Sequence, residues 1–142
     1  MRNRPVIMIL DAQGGGIGRQ LITLIKKEMP GACILGIGTN SAATAAMLKA
    51  GADEAATGEN AVVVASSKAD FILGPIGIVI ADSMLGEITP AMASAVARAG
   101  AMRILIPFSS CDNFIAGVSD FSTGHLLQDA VRKLKEVWQR AH

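Results

Sequence analysis

Apolar and polar positions along this chain switch repeatedly between two periods, and the switches mark its elements. Val6 to Leu10 is an unbroken apolar run that ends at Asp11 and meets three consecutive glycines, Gly14, Gly15 and Gly16, then Ile17-Gly18. A short apolar run closed by glycine reads as a buried strand. An apolar stripe at Ile17, Leu21, Leu24, Ile25 and Met29 follows at helical spacing until Pro30-Gly31 breaks it. Ala32 to Ile37 reads as a second strand, ending in Gly36-Ile37-Gly38. Thr39-Asn40-Ser41 then supplies N-cap residues for a helix over Ala42 to Ala50, closed by Gly51. A short third strand is expected at Glu54 to Thr57, and Gly58-Glu59-Asn60 leads into a helix through about Ser67. Asp70 to Leu73 is a fourth strand, running into Gly74-Pro75-Ile76-Gly77. Ile78 to Leu85 is ambiguous by periodicity alone. Thr89-Pro90 opens a helix that runs to Gly100, with threonine as N-cap and proline in the first helical position. Met102 to Ile106 is a fifth strand and Phe114 to Val118 is read as a sixth. The last helix starts at Ser122-Thr123, with Leu127, Ala130, Val131, Leu134, Val137 and Trp138 on one face.

Strands alternating with helices, and apolar throughout, predict an α/β fold: a Rossmann-like, doubly wound, mostly parallel sheet of about five to six strands. A length of 142 residues fits a single domain spanning 1–142, able to bury roughly 70% of its unfolded surface. The most apolar stretch, Phe71 to Ala81, holds Pro75 and two glycines and is closed by Asp70 and Asp82, so it falls short of the ~20 residues of a membrane span. The N-terminus, MRNRP and five apolar residues, is too short for a signal peptide. Cys33 and Cys111 have no CxxC or ligand-like spacing, which points to a reduced, cytoplasmic protein without a metal centre. Net charge is +1, basic residues are scattered and tyrosine is absent, so a nucleic-acid partner is not expected.

In a sheet of this kind ligands bind beyond the carboxyl ends of the strands. There the chain places Gly14 to Gly18, Gly38-Thr39-Asn40-Ser41, Thr57 to Asn60 and Gly74-Pro75-Ile76-Gly77, whereas the helix-to-strand joints are ordinary turns. The expected site therefore comprises Asp11, Gly14, Gly15, Gly16, Ile17, Gly18, Gly38, Thr39, Asn40, Ser41, Gly74 and Pro75. It would seat a nucleotide or other phosphorylated small molecule at the start of the first helix. Taken singly, each glycine loop is equally well a tight turn or a helix cap.

The glycine spacing narrows the ligand only in part. The dinucleotide pattern GxGxxG, aligned on Gly14 and Gly16, puts Arg19 in the third glycine position and fails. The looser TGxxxGIG matches at Gly16-Ile17-Gly18, with Asp11 and Ala12 in place of Thr and Gly. No acid stands at the end of the second strand to hold an NAD ribose, and no tyrosine is present for a short-chain dehydrogenase. NAD or NADP stays open as a ligand while that activity does not. A P-loop reading puts Arg19 where the lysine belongs and Gln20 where the Mg²⁺-binding hydroxyl belongs, which removes the working parts of ATP hydrolysis.

The segments DAQGGGIG, GTNSAATAAMLKAGA, TGENA, GPIGIVIADSMLGEITPAM and IPFSSCDN together resemble an uncharacterised bacterial family of small Rossmann-like proteins. The resemblance covers nearly the whole chain, with Ala12 standing where glycine is expected. It implies the fold and supplies no activity.

Among side chains with chemistry, Asp11 beside the glycines suits a ribose hydroxyl, an amide or a metal-bound water, and equally a loop-starting turn. Glu59, Asp82 and Glu87 lie near strand ends; Asp82 or Glu87 with Asp11 would serve an enzyme as acid and base, while Glu59 suits the first turn of its helix. Cys111 and His125 are fourteen residues apart, and a thiol nucleophile would need the fold to join them. Finally, the helices over 42–50 and 91–99 carry one charge each and that over 61–67 none. Helices without a polar face predict a covered surface, hence a homodimer or larger homo-oligomer. A regulatory oligomer that binds nothing is the remaining alternative.

Overall fold

The computed structural model describes residues 3–107, 113–119 and 122–141. Their elements alternate as the sequence predicts: β1 (Val6–Asp11), α1 (Gly16–Glu28), β2 (Cys33–Gly38), α2 (Ser41–Ala50), β3 (Glu54–Thr57), α3 (Glu59–Lys68), β4 (Phe71–Pro75), a single 3-10 turn (Ile76–Val79), α4 (Pro90–Arg98), β5 (Met102–Ile106) and α5 (Thr123–Ala141). The strands form one parallel sheet in the order β3-β2-β1-β4-β5, the first five strands of the Rossmann order.

Alternation along the strands decides which face each helix covers. Ile7 and Ile9 of β1 join Leu21, Ile22 and Ile25 of α1, Met47 of α2 and Leu127, Val131 and Leu134 of α5 in one core. Met8 and Leu10 point the other way, into a second core with Val62 of α3, Ile78 and Ile88, and Met92 and Val96 of α4. Both faces are therefore covered, which explains the near-continuous apolar strands. Trp138 packs edge-on against Phe71, ring centroids 6.5 Å apart.

At the amino ends of the strands two aspartates act alike: Asp53 accepts the amide of Ile34 and Asp70 that of Val6, each at 2.8 Å. These side chains staple helix-to-strand joints to the neighbouring strand, which leaves the carboxyl ends as the open side. Among the described residues no helix is long and apolar enough to cross a membrane.

Two segments differ from expectation. Phe114 to Val118 is not a sixth strand: Gly117 adopts φ +85° and the Val118 amide folds back onto the Ile115 carbonyl at 3.3 Å, making a turn. The segment after β4, ambiguous by periodicity, forms the 3-10 turn and then a bonded loop that ends as the Ile88 amide reaches the Ser83 carbonyl.

Candidate functional site

Neighbouring strands β1 and β4 send their connections to opposite sides of the sheet, so the loops after them diverge. A crevice of ≈ 440 Å³ opens at this switch point, between Gln13 to Ile17 on one wall and Pro75 and Met84 on the other, with Asp11 among its lining residues. A larger groove of ≈ 730 Å³ lies between α1 and α5. Both of its carboxylates are already paired, Glu28 with Lys135 and Glu136 with Arg132 and Arg140, and all of its lining residues come from α1 and α5 rather than from loops after strands. The crevice is the stronger candidate on both topology and free polar groups.

Packing divides the glycine run into two kinds. Gly15 adopts φ +73° as N-cap of α1, and a Cβ there would stand 2.9 Å from the Ala43 Cα of α2. A Cβ on Gly18 would stand 2.7 Å from the Met47 Sδ and 3.1 Å from the Asp11 Cβ, so this glycine lets α1 lie close on the sheet. At Gly14 and Gly16, in contrast, a Cβ would meet nothing within 4 Å. Their amides have no acceptor among the described residues.

This division allows a second alignment of the dinucleotide pattern to be compared with the first. Close helix–strand packing belongs to the third glycine of the dinucleotide pattern, and Gly18 performs it; counting back, Gly15 takes the second position and Gln13 the first. Gln13 adopts φ +51°, a left-handed conformation that favours glycine. Set on Gly18 the pattern still fails, at its first position, where Gln13 stands in a glycine's conformation.

Asp11 ends β1 with 4% of its surface exposed. Its Oδ1 accepts the Ala12 amide at 2.8 Å and its Oδ2 the Gly18 amide at 2.7 Å. Burial pushes its carboxyl above the usual range, opposed by the amides of Gly18, Ala12 and Ile17. The side chain thus caps α1 from within the sheet, which fills part of the helix's own anion seat.

The placement of the second carboxylate is a finding sequence reasoning did not reach. Glu87 Oε1 accepts the Gln13 amide at 2.8 Å, the Thr39 hydroxyl at 2.6 Å and the Asn40 side-chain amide at 2.8 Å. Asn40 also donates to the Gln13 carbonyl at 2.9 Å and caps α2 by accepting the Ala43 amide at 2.8 Å. One glutamate thereby ties the loops after β1 and β2 together. The Thr39 hydroxyl, then the Gln13 amide, hold its carboxyl below the ordinary glutamate value of 4.5. A lowered folded-state pKa contributes stability that is complete above the unfolded pKa and is lost as pH falls through the folded one. The melting temperature of wild type should therefore exceed that of Glu87→Gln most near neutrality, and the gap should close as pH falls below 4.5. A gap that does not depend on pH would show that the charge of Glu87 does not brace the loops.

Of the residues expected in the site, Asp11, Gly14, Gly15, Gly16, Ile17 and Pro75 line the crevice together. Gly18 lies beneath it. Gly38 is buried where a Cβ would meet Thr44, and Gly74 where one would meet the Leu10 carbonyl. Thr39 and Asn40 are engaged by Glu87, and Ser41 is exposed in the first position of α2. Gln13, Gln20, Met84 and Thr123 line the crevice without having been expected there. Glu59 accepts the Thr89 hydroxyl at 2.6 Å, joining α3 to the cap of α4. Asp82 is exposed at φ +65°. His125 is exposed on α5, and Cys111 lies outside the described residues.

A family model described as a domain of unknown function (DUF3842) matches residues 6–139. The chain belongs to this family. No curated protein matches it significantly. Among solved structures, a dodecameric FMN-dependent Ubix-like decarboxylase from Escherichia coli O157:H7 is similar at 17% identity and a TM-score of 0.46, over 92% of this chain and 75% of that one. At that identity and score the likeness says nothing of ligand or activity in this DUF3842 chain.

Proposed function

We propose that the chain binds a nucleotide or another phosphorylated small molecule in the crevice between β1 and β4. The observation that carries this reading is the placement of Gly14 and Gly16: no neighbour requires glycine at either position, yet both line the crevice with unengaged amides at the start of the thirteen-residue α1. Glycines without a packing role let backbone amides approach a ligand. Asp11 takes the Gly18 amide, so the ligand is met by the outer amides of the loop.

Thermal shifts against NAD, NADP, FAD, S-adenosylmethionine, ATP, GTP and inorganic phosphate test this. A ligand at ~100 times its Kd adds ~2.7 kcal/mol, or roughly 9 °C for a domain of this size. Gly16→Trp should abolish the shift while the unliganded protein still folds. No shift with any compound, or one that Gly16→Trp leaves intact, would refute the site.

An acid–base enzyme has less to rest on, because Asp11 and Glu87 hold backbone and loops and Asp82 is turned to solvent. The homo-oligomer reading is kept: α2 exposes Leu48 and α3 exposes Val63 and Val64, side chains that association would cover. Size-exclusion chromatography with light scattering should give a mass of two or more chains, and a monomer at micromolar concentration would end that reading.

A further inference from the structure

We propose that Glu87 selects the ribose of the bound nucleotide, admitting a free 2′-hydroxyl and rejecting a 2′-phosphate. The inference rests on the crevice being a nucleotide site. In sheets of this strand order an acid just beyond β2 holds the ribose diol. Here that place is occupied by Thr39, Asn40 and Ser41, none of them acidic. The fold nevertheless delivers a carboxylate to it from 48 residues further along, bonded to Thr39 and Asn40 themselves.

The carboxylate is held in a way that suits recognition. All three of its donors converge on Oε1, and Oε2 has no donor among the described residues, so acceptor capacity is left for a ligand hydroxyl. Donors from two separate loops fix its position before a ligand arrives, which reduces the ordering cost of binding. It borders the crevice without lining it: Gln13, its backbone donor, and Met84, three residues before it, form opposite walls. Among the described residues no arginine or lysine lines the crevice, and Arg19 lines a different cavity beside α5. A 2′-phosphate would therefore meet a like charge with no cation to offset it.

Calorimetric titration with NAD and NADP, which differ only by the 2′-phosphate, tests this in wild type and Glu87→Gln. Wild type should bind NAD roughly tenfold or more tightly, as expected for a like-charge clash. In Glu87→Gln the ratio should fall toward one through a gain in NADP affinity. Equal affinities in wild type would overturn the proposal, a result that needs no variant to fold. A variant that weakens both ligands alike and leaves the ratio unchanged would overturn it too, reducing Glu87 to a brace between loops. Binding of neither dinucleotide overturns ribose selection, whereas the crevice itself stands or falls on the wider panel and Gly16→Trp.

Discussion

Replacing Gly74 with alanine should destabilise the fold by about 3 kcal/mol, enough to lower the melting temperature by roughly 10 °C. At this position β4 lies against β1, and a Cβ would run into the Leu10 carbonyl, with the Ile78 Cδ1 at 3.1 Å. Ile78 can rotate, but a carbonyl inside a parallel ladder cannot. The strands must part at the floor of the crevice or the new methyl must stay overpacked. Gly16→Ala is the control: with open space around it and a helical backbone, it should stay within about 0.5 kcal/mol of wild type. Urea denaturation of the three proteins measures both effects. A Gly74→Ala protein as stable as wild type would mean that β1 and β4 yield far more easily than their packing indicates.

Asp11→Ala should cost about 3 kcal/mol for a different reason. The substitution removes the acceptor of the Ala12 and Gly18 amides, in a place water does not readily reach. Buried amides without partners cost about 1–3 kcal/mol each. Asparagine should not rescue fully, since its NH2 group would face one of the two amides as donor against donor. The pH dependence is opposite in sign to that of Glu87. Because the folded-state pKa of Asp11 is raised above 3.8, the native protein holds its proton more tightly than the unfolded chain does. Its stabilising contribution is greatest at low pH and declines as pH rises through the folded value, so the gap between wild type and Asp11→Ala should narrow in that direction. A gap that instead widens with pH would mean that hydrogen bonding outweighs burial at this carboxyl.

The parts of the fold legible in the sequence are those fixed by neighbours in the chain. Val6 to Leu10, the Ile17-to-Met29 stripe, the Asn40 and Thr89 caps and the Gly51 stop each carry their own signal within a few residues, and the structure places each as read. The misreadings fall where a distant contact decides. Phe114 to Val118 has the residues of a strand, but among the described residues no strand of the sheet pairs with it. Gln13 takes a glycine's conformation, and the residue type gives no hint of it. Glu87 is an ordinary glutamate in sequence, and its place at the end of β2 exists only once β4 and its loop have packed beside β1. Gly38 and Gly74 answer to a further demand that the sequence does not display, since a Cβ on either would run into neighbouring backbone.

Leu85 marks a different property of the same region. It is 98% exposed and, like Met84 and Gly86 beside it, adopts positive φ, at +58°. A left-handed leucine costs roughly 1–2 kcal/mol, and here no burial offsets it. The position therefore tolerates replacement, and glycine or asparagine there should be at least as stable. It also stands one residue from a wall of the crevice and two from Glu87, so an environment-sensitive dye coupled at residue 85 would sit beside the site without touching either core. The chain thus carries its own attachment point for an optical reporter of occupancy, one that would register a bound molecule before its chemistry is known.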